Sequence, residues 1–490
     1  MHTTLTLLLA LLLAGAGIAA AQSQREPELQ AIDQFIETEM QRDRVPGVAL
    51  AIVHNNQIVY LRGYGTNGNG QPVTPETGFI LRSMSKSFTA LAIMQLVERD
   101  QIQLDAPAIT YLPWFRVADA AATAQITVRH LLNHTSGIPT QAPRAQGASL
   151  TLQDHVRALA SVALRNPPGT VHEYASPNYQ VLGAIVEQVS GQSFADYVQQ
   201  QIFAPLDMRS SYTDQTQAIA NGMARGHRYW FGFPVPVTLA HEHDRLPTAS
   251  MISSAQDLSH YLIAQLNGGT FAGQSVLSPA NVAEMQRPTA PSEGFSYAMG
   301  WRVGPVEGVP AIHHGGIVPH FRGKMVLLPE QQWGVAVLTN VSTAFPLPIQ
   351  PTSHRLADAI AGYLVGQPLS HNSYSQSLLY LVIAAGMALV VLNQLSSLVR
   401  LGRWRAGLAT RSRRSSITEL VVEAVWPVVA VLGVPRVFGL PWSELLRGTP
   451  DMAYWLITIA SLGLLTAAAK LIVFMRARST PAPGAVVRRR

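Results

Sequence analysis

A serine and a lysine lie three residues apart, at Ser83 and Lys86, where an apolar stretch predicts the beginning of a helix. Residues i and i+3 share a helix face, so this spacing holds a hydroxyl beside an amine. The first turn of a helix also carries unpaired backbone N–H groups, which favour an anion. A neutral amine can accept the proton of a neighbouring serine and so make it a nucleophile. By itself the short motif is also compatible with a helix-start serine followed by a solvated lysine.

Lysine is rare in this chain, which has 32 arginines but only three lysines, Lys86, Lys324 and Lys470. Arginine stays charged in proteins, whereas a buried lysine can lose its proton and act as a base. A lysine at position 86 in a chain that otherwise uses arginine therefore indicates a need for an amine that titrates.

The composition and the charge distribution exclude several classes of protein. The chain has no cysteine, which excludes disulfides, cysteine-ligated zinc, a cysteine nucleophile and a lipidated N-terminal cysteine. Residues 370–490 carry 14 Lys and Arg against 4 Asp and Glu, whereas the preceding residues carry 21 against 25. The main body is thus mildly acidic and has no basic stripe, so we expect no nucleic-acid partner.

Other motifs for cofactor, metal or hydrolase chemistry are weak. The stretch 63–68 matches G-x-G-x-x-G but leads into a loop instead of a helix, so we reject a dinucleotide site. The pairs His313-His314 and His241-Glu-His243 lack a third ligand at a telling spacing, so we expect no metal. No Gly-x-Ser-x-Gly elbow is present, which leaves an α/β-hydrolase triad unsupported. We therefore expect the protein to work without a cofactor.

The elements that must position Ser83 form an α+β pattern. Strand signals occur near the start, in a hairpin over 48–61, and return over 297–339, while 104–290 is mainly helical with many Pro and Gly breaks. If the two sets of strands pair, they form one antiparallel sheet flanked by helices, with an all-helical lobe inserted in the middle. The cleft between sheet and lobe is the natural site.

The termini predict an exported, membrane-anchored protein. Residues 1–21 resemble a signal peptide with an Ala19-Ala20-Ala21 cleavage site, although the lack of an early basic residue leaves an uncleaved anchor open. After a main domain over 22–368 and a linker over 369–377, three apolar stretches within 378–475 are long enough to span a bilayer.

The arginines of the membrane region predict its orientation. They concentrate in the loop 400–414 and in the tail 476–490, which the positive-inside rule makes cytoplasmic. We therefore expect the bacterial inner (plasma) membrane, with the catalytic domain periplasmic or extracytoplasmic. Glu423 and Arg436 interrupt the second span near its opposite ends and can reach the interfaces, so we prefer anchoring to a transport role.

Two further motifs follow Ser83-Met-Ser-Lys86 in order, namely Tyr174-Ala-Ser176 and His314-Gly-Gly316. Together they resemble the Ser-x-x-Lys, Tyr-x-Asn/Ser and His/Lys-x-Gly motifs of the serine β-lactamase-like or penicillin-binding protein family. The resemblance is to its class C, peptidase S12 branch, which contains D-alanyl-D-alanine carboxypeptidases and related esterases. Supporting stretches extend over residues 30–365, including Leu131-Leu-Asn-His-Thr-Ser-Gly-Ile-Pro139 and Tyr297-Ala-Met-Gly-Trp301.

The resemblance implies a role for each motif residue. Ser83 would become acylated, Lys86 would be the base, and Tyr174 would relay a proton to the leaving group or to water. Which of Lys86 and Tyr174 takes the first proton is a coupled titration that stays open. Ser176 would hydrogen-bond Lys86 or the substrate. His314 and Gly316 would form an edge of the cleft. The backbone N–H groups of Ser83 and Ile317 would form the oxyanion hole.

The layout resembles that of membrane-anchored maturation peptidases of nonribosomal peptide pathways, such as the precolibactin peptidase. That similarity implies an acyl-D-amino acid or small peptide substrate, cleaved at an amide beside a D-residue. Arg245 and His320 occupy the positions that would face the D-residue side chain and depart from that group's pattern. A β-lactamase or esterase on the same site, or a non-catalytic envelope-binding protein, are the alternatives. The cell membrane is an expected partner, and a transporter or a dimer partner is left open.

Overall fold

The computed structural model describes residues 29–142, 145, 150–238, 245–318, 320–342, 350–371, 375–437 and 442–479. They form two compact units. The catalytic unit comprises the described residues up to 228, together with 234–342 and 350–371. The membrane unit comprises 229–233 and the described residues from 375 onward. The predicted signal peptide, residues 372–374 of the linker and residues 480–490 of the tail lie outside the described residues.

The strands have the following bounds: β1 Gly47–His54, β2 Gln57–Gly65, β3 Phe79–Ile80, β4 His227–Trp230, β5 Phe233–Pro236, β6 Ile252–Ser253, β7 Thr270–Phe271, β8 Gln274–Ser275, β9 Ala290–Ser292, β10 Phe295–Ala298, β11 Trp301–Val306, β12 Val309–Val318, β13 Phe321–Leu328, β14 Trp333–Thr339 and β15 Val341–Ser342.

Eight of these strands form one antiparallel sheet, in the order β2-β1-β14-β13-β12-β11-β10-β9. The early hairpin and the late strands meet where β1 pairs with β14, from Val48 opposite Thr339 to His54 opposite Trp333. Strand β1 reads GVALAIVH and is buried along almost its whole length, as expected for a central strand covered on both faces. The predicted α+β antiparallel sheet is confirmed.

The helices of the catalytic unit have the following bounds: α1 29–43, α2 Ser85–Glu98, α3 Ala108–Tyr111, α4 Ala120–Gln125, α5 Val128–Leu132, α6 Leu152–Arg157, α7 Ser176–Ser190, α8 Phe194–Val198, α9 Gln215–Ala220, α10 Ala255–Leu266, α11 Pro279–Gln286 and α12 Thr352–Tyr363.

The inserted helical lobe, α3 to α9, lies between β3 and β6. These two short strands pair with each other, Phe79 opposite Ser253 and Ile80 opposite Ile252, so the chain returns to the sheet where it left it. Local signals set the helix ends: Pro177 lies in the first turn of α7 and Gly191 follows its last turn with φ 70°. Helix α10 begins where the Ser254 hydroxyl accepts the Asp257 N–H.

The core lies between the sheet and the lobe. Alternate residues of β1, Ala49, Ala51 and Val53, pack in one cluster with α2, α7 and α10. Helix α12 covers β13 and β14 with its own buried apolar residues, Leu356 and Ile360. Helix α2 is buried on nearly every side, from Ser85 to Leu96. This central position fixes the backbone around Ser83 and Lys86.

The membrane unit is made of helices with the following bounds: α13 Gln376–Val399, α14 Leu401–Gly407, α15 Arg413–Val437, α16 Trp442–Gly448 and α17 Pro450–Ser479. Three of them are long and apolar enough to cross a membrane, over Gln376–Val399, Arg413–Val437 and Pro450–Ala477. These helices coincide with the three predicted apolar stretches. The Glu423 carboxylate of α15 contacts Lys470 of α17.

Candidate active site

Ser83 lies on a single 3₁₀ turn, Arg82–Met84, directly before α2, instead of inside the first α-helical turn as predicted. Arg82 has φ 55°, a left-handed conformation that a non-glycine residue rarely adopts. Such backbone strain is typical of functional sites whose surroundings hold the chain in place. Ser83 itself is only partly buried, so its hydroxyl stays accessible from the cleft.

The Lys86 side chain is fully buried one turn after Ser83. Its Nζ donates to the carbonyl of Thr248 at 3.0 Å and lies 4.9 Å from the centroid of the Tyr174 ring. Among the described residues Lys86 forms no ion pair with a carboxylate. Burial lowers the pKa of Lys86, the charges of Arg245 and Arg302 lower it further, and Tyr174 opposes them. The amine is therefore biased toward the neutral form that a base requires.

Tyr174 and Ser176 lie at the beginning of α7, where His134 holds the turn. The His134 Nδ1 accepts the Ala175 N–H at 3.2 Å, and the Asn178 side chain lies 3.0 Å from the same atom. The His134 ring centroid lies 4.4 Å from that of Tyr174. The Tyr174 hydroxyl is buried beside the Lys86 amine, and its interaction with that amine opposes the lowering of the Lys86 pKa.

His314 is fully buried on β12 and is held in one tautomer. Its Nδ1 lies 2.9 Å from the Gly315 carbonyl oxygen, which can only accept, so Nδ1 carries the proton. Its Nε2 therefore accepts from the hydroxyl of Tyr297, at 3.1 Å. Burial keeps the pKa of His314 well below its usual range, with Arg302 and Lys86 adding to the effect. His314 is thus a neutral residue of the site wall.

Gly315 and Gly316 are required by close contacts on opposite sides of β12. A Cβ on Gly316 would overlap the carbonyl oxygen of Leu81, directly before the Ser83 turn. A Cβ on Gly315 would overlap Nε2 of His354 on α12. The two glycines therefore let β12 approach the Ser83 turn on one side and α12 on the other.

Strand β12 presents an open edge beside the serine. Its pairing with β11 ends at Arg302 opposite His313, whereas its pairing with β13 continues to Val318. Ile317, whose backbone N–H is the expected second oxyanion donor, is 50% exposed on this segment. An extended substrate can therefore add to this edge as a further strand.

The two specificity positions from the sequence lie on different loops. Arg245 precedes the turn Leu246–Ser250, and its carbonyl accepts the Thr248 hydroxyl at 3.0 Å. Its charge lowers the pKa of Lys86. His320 lies in the turn between β12 and β13 with φ 89°, and its Cβ packs against Gly226.

Sequence reasoning missed Arg302, the first residue after the quoted stretch Tyr297–Trp301. Its guanidinium carbon lies 4.8 Å from the ring centroid of Phe295 and 6.0 Å from that of Tyr174. It forms no ion pair with any carboxylate that the structure describes. The cleft therefore contains a cation without an acidic neighbour, which the sequence could have indicated only through its position beside a motif.

No group of three or more His, Cys, Asp or Glu residues that could hold a metal ion occurs in the described ranges. His313 lies next to His314 on β12, and burial lowers its pKa to about 3. His241 and His243 lie outside the described residues.

The chain is similar to several proteins of one family. A family profile described as Beta-lactamase matches residues 32–359. Protein flp of Staphylococcus aureus (strain MW2) is 27% identical over 455 residues, covering 89% of this chain and 87% of its own length. Penicillin-binding protein 4 of Amycolatopsis lactamdurans is 32% identical over 315 residues, which is 61% of this chain and 83% of that protein.

Solved structures give the same result. The octameric penicillin-binding protein homologue from Pyrococcus abyssi matches with a TM-score of 0.59 and 28% identity, covering 70% of this chain and 78% of that chain. The hydrolase EstCE1 matches with a TM-score of 0.57 and 22% identity, covering 65% and 94%, which shows a shared fold. The sheet, the inserted lobe and the family match together show that the chain belongs to the beta-lactamase family of serine hydrolases, with penicillin-binding protein homologues among its relatives.

Proposed function

We propose that the protein is an exported, membrane-anchored serine peptidase of the S12 type that cleaves an amide beside a D-amino acid through a Ser83 acyl-enzyme. The carrying observation is the environment of Lys86. The amine is fully buried, has no carboxylate partner among the described residues, and lies beside Tyr174 one turn from Ser83. A merely structural lysine would be solvated or ion-paired.

In the acylation step Ser83 Oγ attacks the substrate carbonyl carbon, and the hydroxyl proton passes to the Lys86–Tyr174 pair. The carbonyl oxygen becomes an oxyanion, and by resemblance to the family the backbone N–H groups of Ser83 and Ile317 bind it. One such donor contributes about 3 kcal/mol to transition-state stabilisation. The proximity of the Gly316 backbone to Leu81 supports this arrangement, because it brings β12 against the Ser83 turn.

In the second half of the reaction the proton returns. The pair protonates the leaving nitrogen as the C–N bond breaks, which leaves an ester on Ser83. A water then attacks this ester, gives its proton to the same pair, and the Ser83 hydroxyl is restored when the acid is released. We assign the transfer of the proton in both steps to the Tyr174 hydroxyl, which is buried beside the Lys86 amine.

The charge of the cleft supports a substrate with a carboxylate near the scissile bond. Arg302 lies against Tyr174 and has no acidic partner in the part of the chain that the structure describes. The charge of Arg245 lowers the pKa of Lys86. A guanidinium binds a carboxylate through charge-assisted hydrogen bonds. The similarity to penicillin-binding proteins supports a D-Ala-D-Ala carboxypeptidase-like form of this activity, and the membrane layout supports a prodrug-maturation form.

Four substrate types separate these possibilities: an acyl-D-Ala-D-Ala peptide, an acyl-D-Asn amide, a p-nitrophenyl ester and a penicillin. The proposal expects the highest kcat/KM on one of the two D-amino acid amides. Fastest turnover of the penicillin or of the ester would favour a β-lactamase or an esterase instead. Ser83→Ala should abolish turnover and covalent labelling by penicillin, and wild-type protein that neither turns over nor labels would favour an envelope-binding role.

Arg302→Gln tests whether Arg302 binds a carboxylate of the substrate. We expect kcat/KM for the peptide with a free carboxylate to fall about 10- to 100-fold, because a hydrogen bond to a charged group contributes about 1.5–3 kcal/mol. The matched peptide carboxamide should be affected little. Arg302→Lys is the control variant, since it keeps the charge and loses the paired geometry. Equal losses on both peptides would contradict the assignment.

The proposed location is the bacterial inner membrane, with the catalytic domain over 22–368 outside and the arginine-rich loop inside. The three apolar helices support anchoring, and the arginines of 400–414 support the orientation. Single cysteines at Asn69 and at Arg403 test it in this cysteine-free chain. A membrane-impermeant maleimide added to intact spheroplasts should label only the cysteine at position 69. Labelling only of the cysteine at position 403 would indicate the opposite orientation.

A further inference from the structure

A cavity of about 630 Å³ lies between α13, α15 and α17 of the membrane unit. Its apolar lining includes Leu389, Val422 and Trp426, as expected for membrane helices. Its polar lining includes Gln394, Glu423 and Lys470, which is unusual for such helices. Ionisable residues at membrane depth are costly, so a group of them around a cavity indicates a function.

Lys470 and two carboxylates form the charged part of the lining. The Lys470 Nζ lies 2.6 Å from Glu419 and also contacts Glu423. The second oxygen of Glu419 accepts from the Trp404 indole at 3.1 Å and from Arg411 at 3.0 Å. Glu419 is therefore fully partnered, whereas Glu423 has only the one contact to Lys470 through Oε1.

Two oxygen atoms of residues that line this cavity lack a hydrogen-bond donor in the part of the chain that the structure describes. Within the described residues, Glu423 Oε2 and Gln394 Oε1 are buried oxygens without a hydrogen bond. The orientation of the Gln394 amide is settled, because its Nε2 donates to the Ile459 carbonyl at 3.0 Å. Two acceptors without a donor, one of them a carboxylate oxygen, favour a cationic donor and disfavour a phosphate.

Pro427 changes the backbone hydrogen bonding of α15 at the same level. Proline has no N–H, so the Glu423 carbonyl four residues earlier lacks its regular helical partner. The second proline of α15 provides a contrast, because the Val431 carbonyl that Pro435 leaves free accepts from the Trp442 indole at 3.2 Å. Gly463 lets α17 approach at this level, where a Cβ would overlap Pro427.

The position along the helices places these acceptors near one membrane surface. Glu423 lies about 15 Å along α15 from its arginine-rich start, and Lys470 about 9 Å before Arg476, at 1.5 Å per residue. Gln394 lies about 8 Å before the end of α13 by the same rise. All three therefore lie in the half of their helix that is nearer the arginine-rich end of the unit.

We infer that this cavity binds the primary ammonium group of a membrane amphiphile. The ammonium donates to Glu423 Oε2 and to Gln394 Oε1, and the aliphatic chain lies along Leu389 and Trp426. The inference rests on the membrane insertion proposed above and is independent of the reaction at Ser83. An aminophospholipid headgroup and a single-chain amine share this chemistry, and the two sources are separated by the test.

The test uses the full chain, purified in detergent with Ser83→Ala so that no turnover intervenes, and native mass spectrometry of bound lipid. Dioleoyl phosphatidylethanolamine should bind at least 10-fold more tightly than dioleoyl phosphatidylcholine, whose quaternary ammonium has no N–H. Glu423→Gln should remove this preference. Equal binding of the two lipids, or a preference that persists in Glu423→Gln, would overturn the inference.

Two further variants guard against a general loss of fold or charge. Glu419→Gln removes the same charge from a carboxylate whose oxygens are both already partnered. The preference for phosphatidylethanolamine over phosphatidylcholine should therefore fall less in this variant than in Glu423→Gln. Val422→Trp, at a position 58% exposed, narrows the cavity without touching the charged residues and should also reduce binding. Equal effects of the two glutamate variants would count against the geometry proposed for Glu423.

Competition between two probes identifies the source of the amine. If the occupant is a phospholipid, phosphatidylethanolamine should displace dodecylamine from the wild-type cavity at a lower concentration than the reverse exchange requires. If it is a single-chain amine, dodecylamine should be the probe that displaces the other at the lower concentration. Dodecanol, which has the chain but not the ammonium, should displace neither probe, and displacement by dodecanol would overturn the requirement for a cation.

Discussion

The amine of Lys86 lies 4.9 Å from the centroid of the Tyr174 ring and donates its hydrogen bond to the carbonyl of Thr248. The acceptor is thus a neutral carbonyl, which holds the side chain in place without stabilising its charge as strongly as a carboxylate would. Burial lowers the pKa of Lys86 in the same environment. The position and the protonation of Lys86 are therefore controlled by different parts of its surroundings.

Lys86→Arg should abolish acylation while the protein stays folded. Arginine does not lose its proton in proteins, so the variant keeps the charge and loses the base. We expect kcat/KM to fall at least about 10³-fold, the scale of a lost general base. The measurement is the rate of acyl-enzyme formation by mass spectrometry.

Lys324→Arg is the matched control for that change, because Lys324 is also nearly buried but pairs with Asp358 at 2.5 Å. It should lower stability and leave the acylation rate within a few-fold of wild type. A large acylation defect at Lys324 and none at Lys86 would contradict the assignment of the base.

The acylation rate should rise with pH as Lys86 loses its proton. Burial lowers the pKa of this lysine from its usual range, and the charges of Arg245 and Arg302 lower it further. Removing the Arg302 charge in Arg302→Gln should therefore raise the pKa of Lys86 and move the rising limb of the profile to higher pH. The measurement is kcat/KM against pH on an uncharged substrate, and a limb that moves to lower pH would be inconsistent with the mechanism.

Gly316→Ala and Gly315→Ala should differ in what they damage. The first places a methyl group against the Leu81 carbonyl and pushes β12 from the Ser83 turn, so acylation should fall strongly. The second meets His354 on the other side, so it should mainly destabilise, by about 1–3 kcal/mol as for an overpacked core. Acylation rates and thermal unfolding of both variants check this, and identical effects on both would refute the two-sided contact.

Tyr297→Phe should destabilise the catalytic unit through His314. The variant removes the hydroxyl that donates to His314 Nε2 and leaves a buried acceptor unpaired. Such a loss costs about 1–3 kcal/mol. Urea unfolding followed by tryptophan fluorescence measures this loss. The comparison is Tyr212→Phe, because the hydroxyl of this partly exposed tyrosine makes no hydrogen bond within the described residues.

Asp257 should make stability depend on pH. Burial raises its pKa to about 6, against the hydrogen bonds from Ser211 and Ser210 that lower it. The native carboxyl therefore holds a proton that the unfolded chain loses, so this contribution is fully present below pH ~4 and is lost as the pH rises toward ~6. Asp257→Asn should gain about 2–3 kcal/mol relative to wild type between pH 4 and pH 7. An unchanged difference across that range would contradict the raised pKa.

Much of the fold was predictable because its signals are local. The burial of β1 and β14 follows from continuous apolar runs, and the end of α7 follows from Gly191. The pairing of the early and late strands required only that unsatisfied sheet edges find each other. The type of turn that holds Ser83 could not be predicted in the same way, because a 3₁₀ turn and an α-helical turn have nearly the same sequence pattern.

The sequence by itself determined which side chains could do chemistry, their order along the chain, and the three apolar helices that follow them. Only the tertiary structure decided their partners. Thr248 is 162 residues from Lys86, and Lys470 is 47 residues from Glu423. Such contacts depend on how the packed elements bring distant residues together, and no local spacing encodes them. For the same reason the contact of Arg302 with Tyr174 depends on the pairing of β11 with β12.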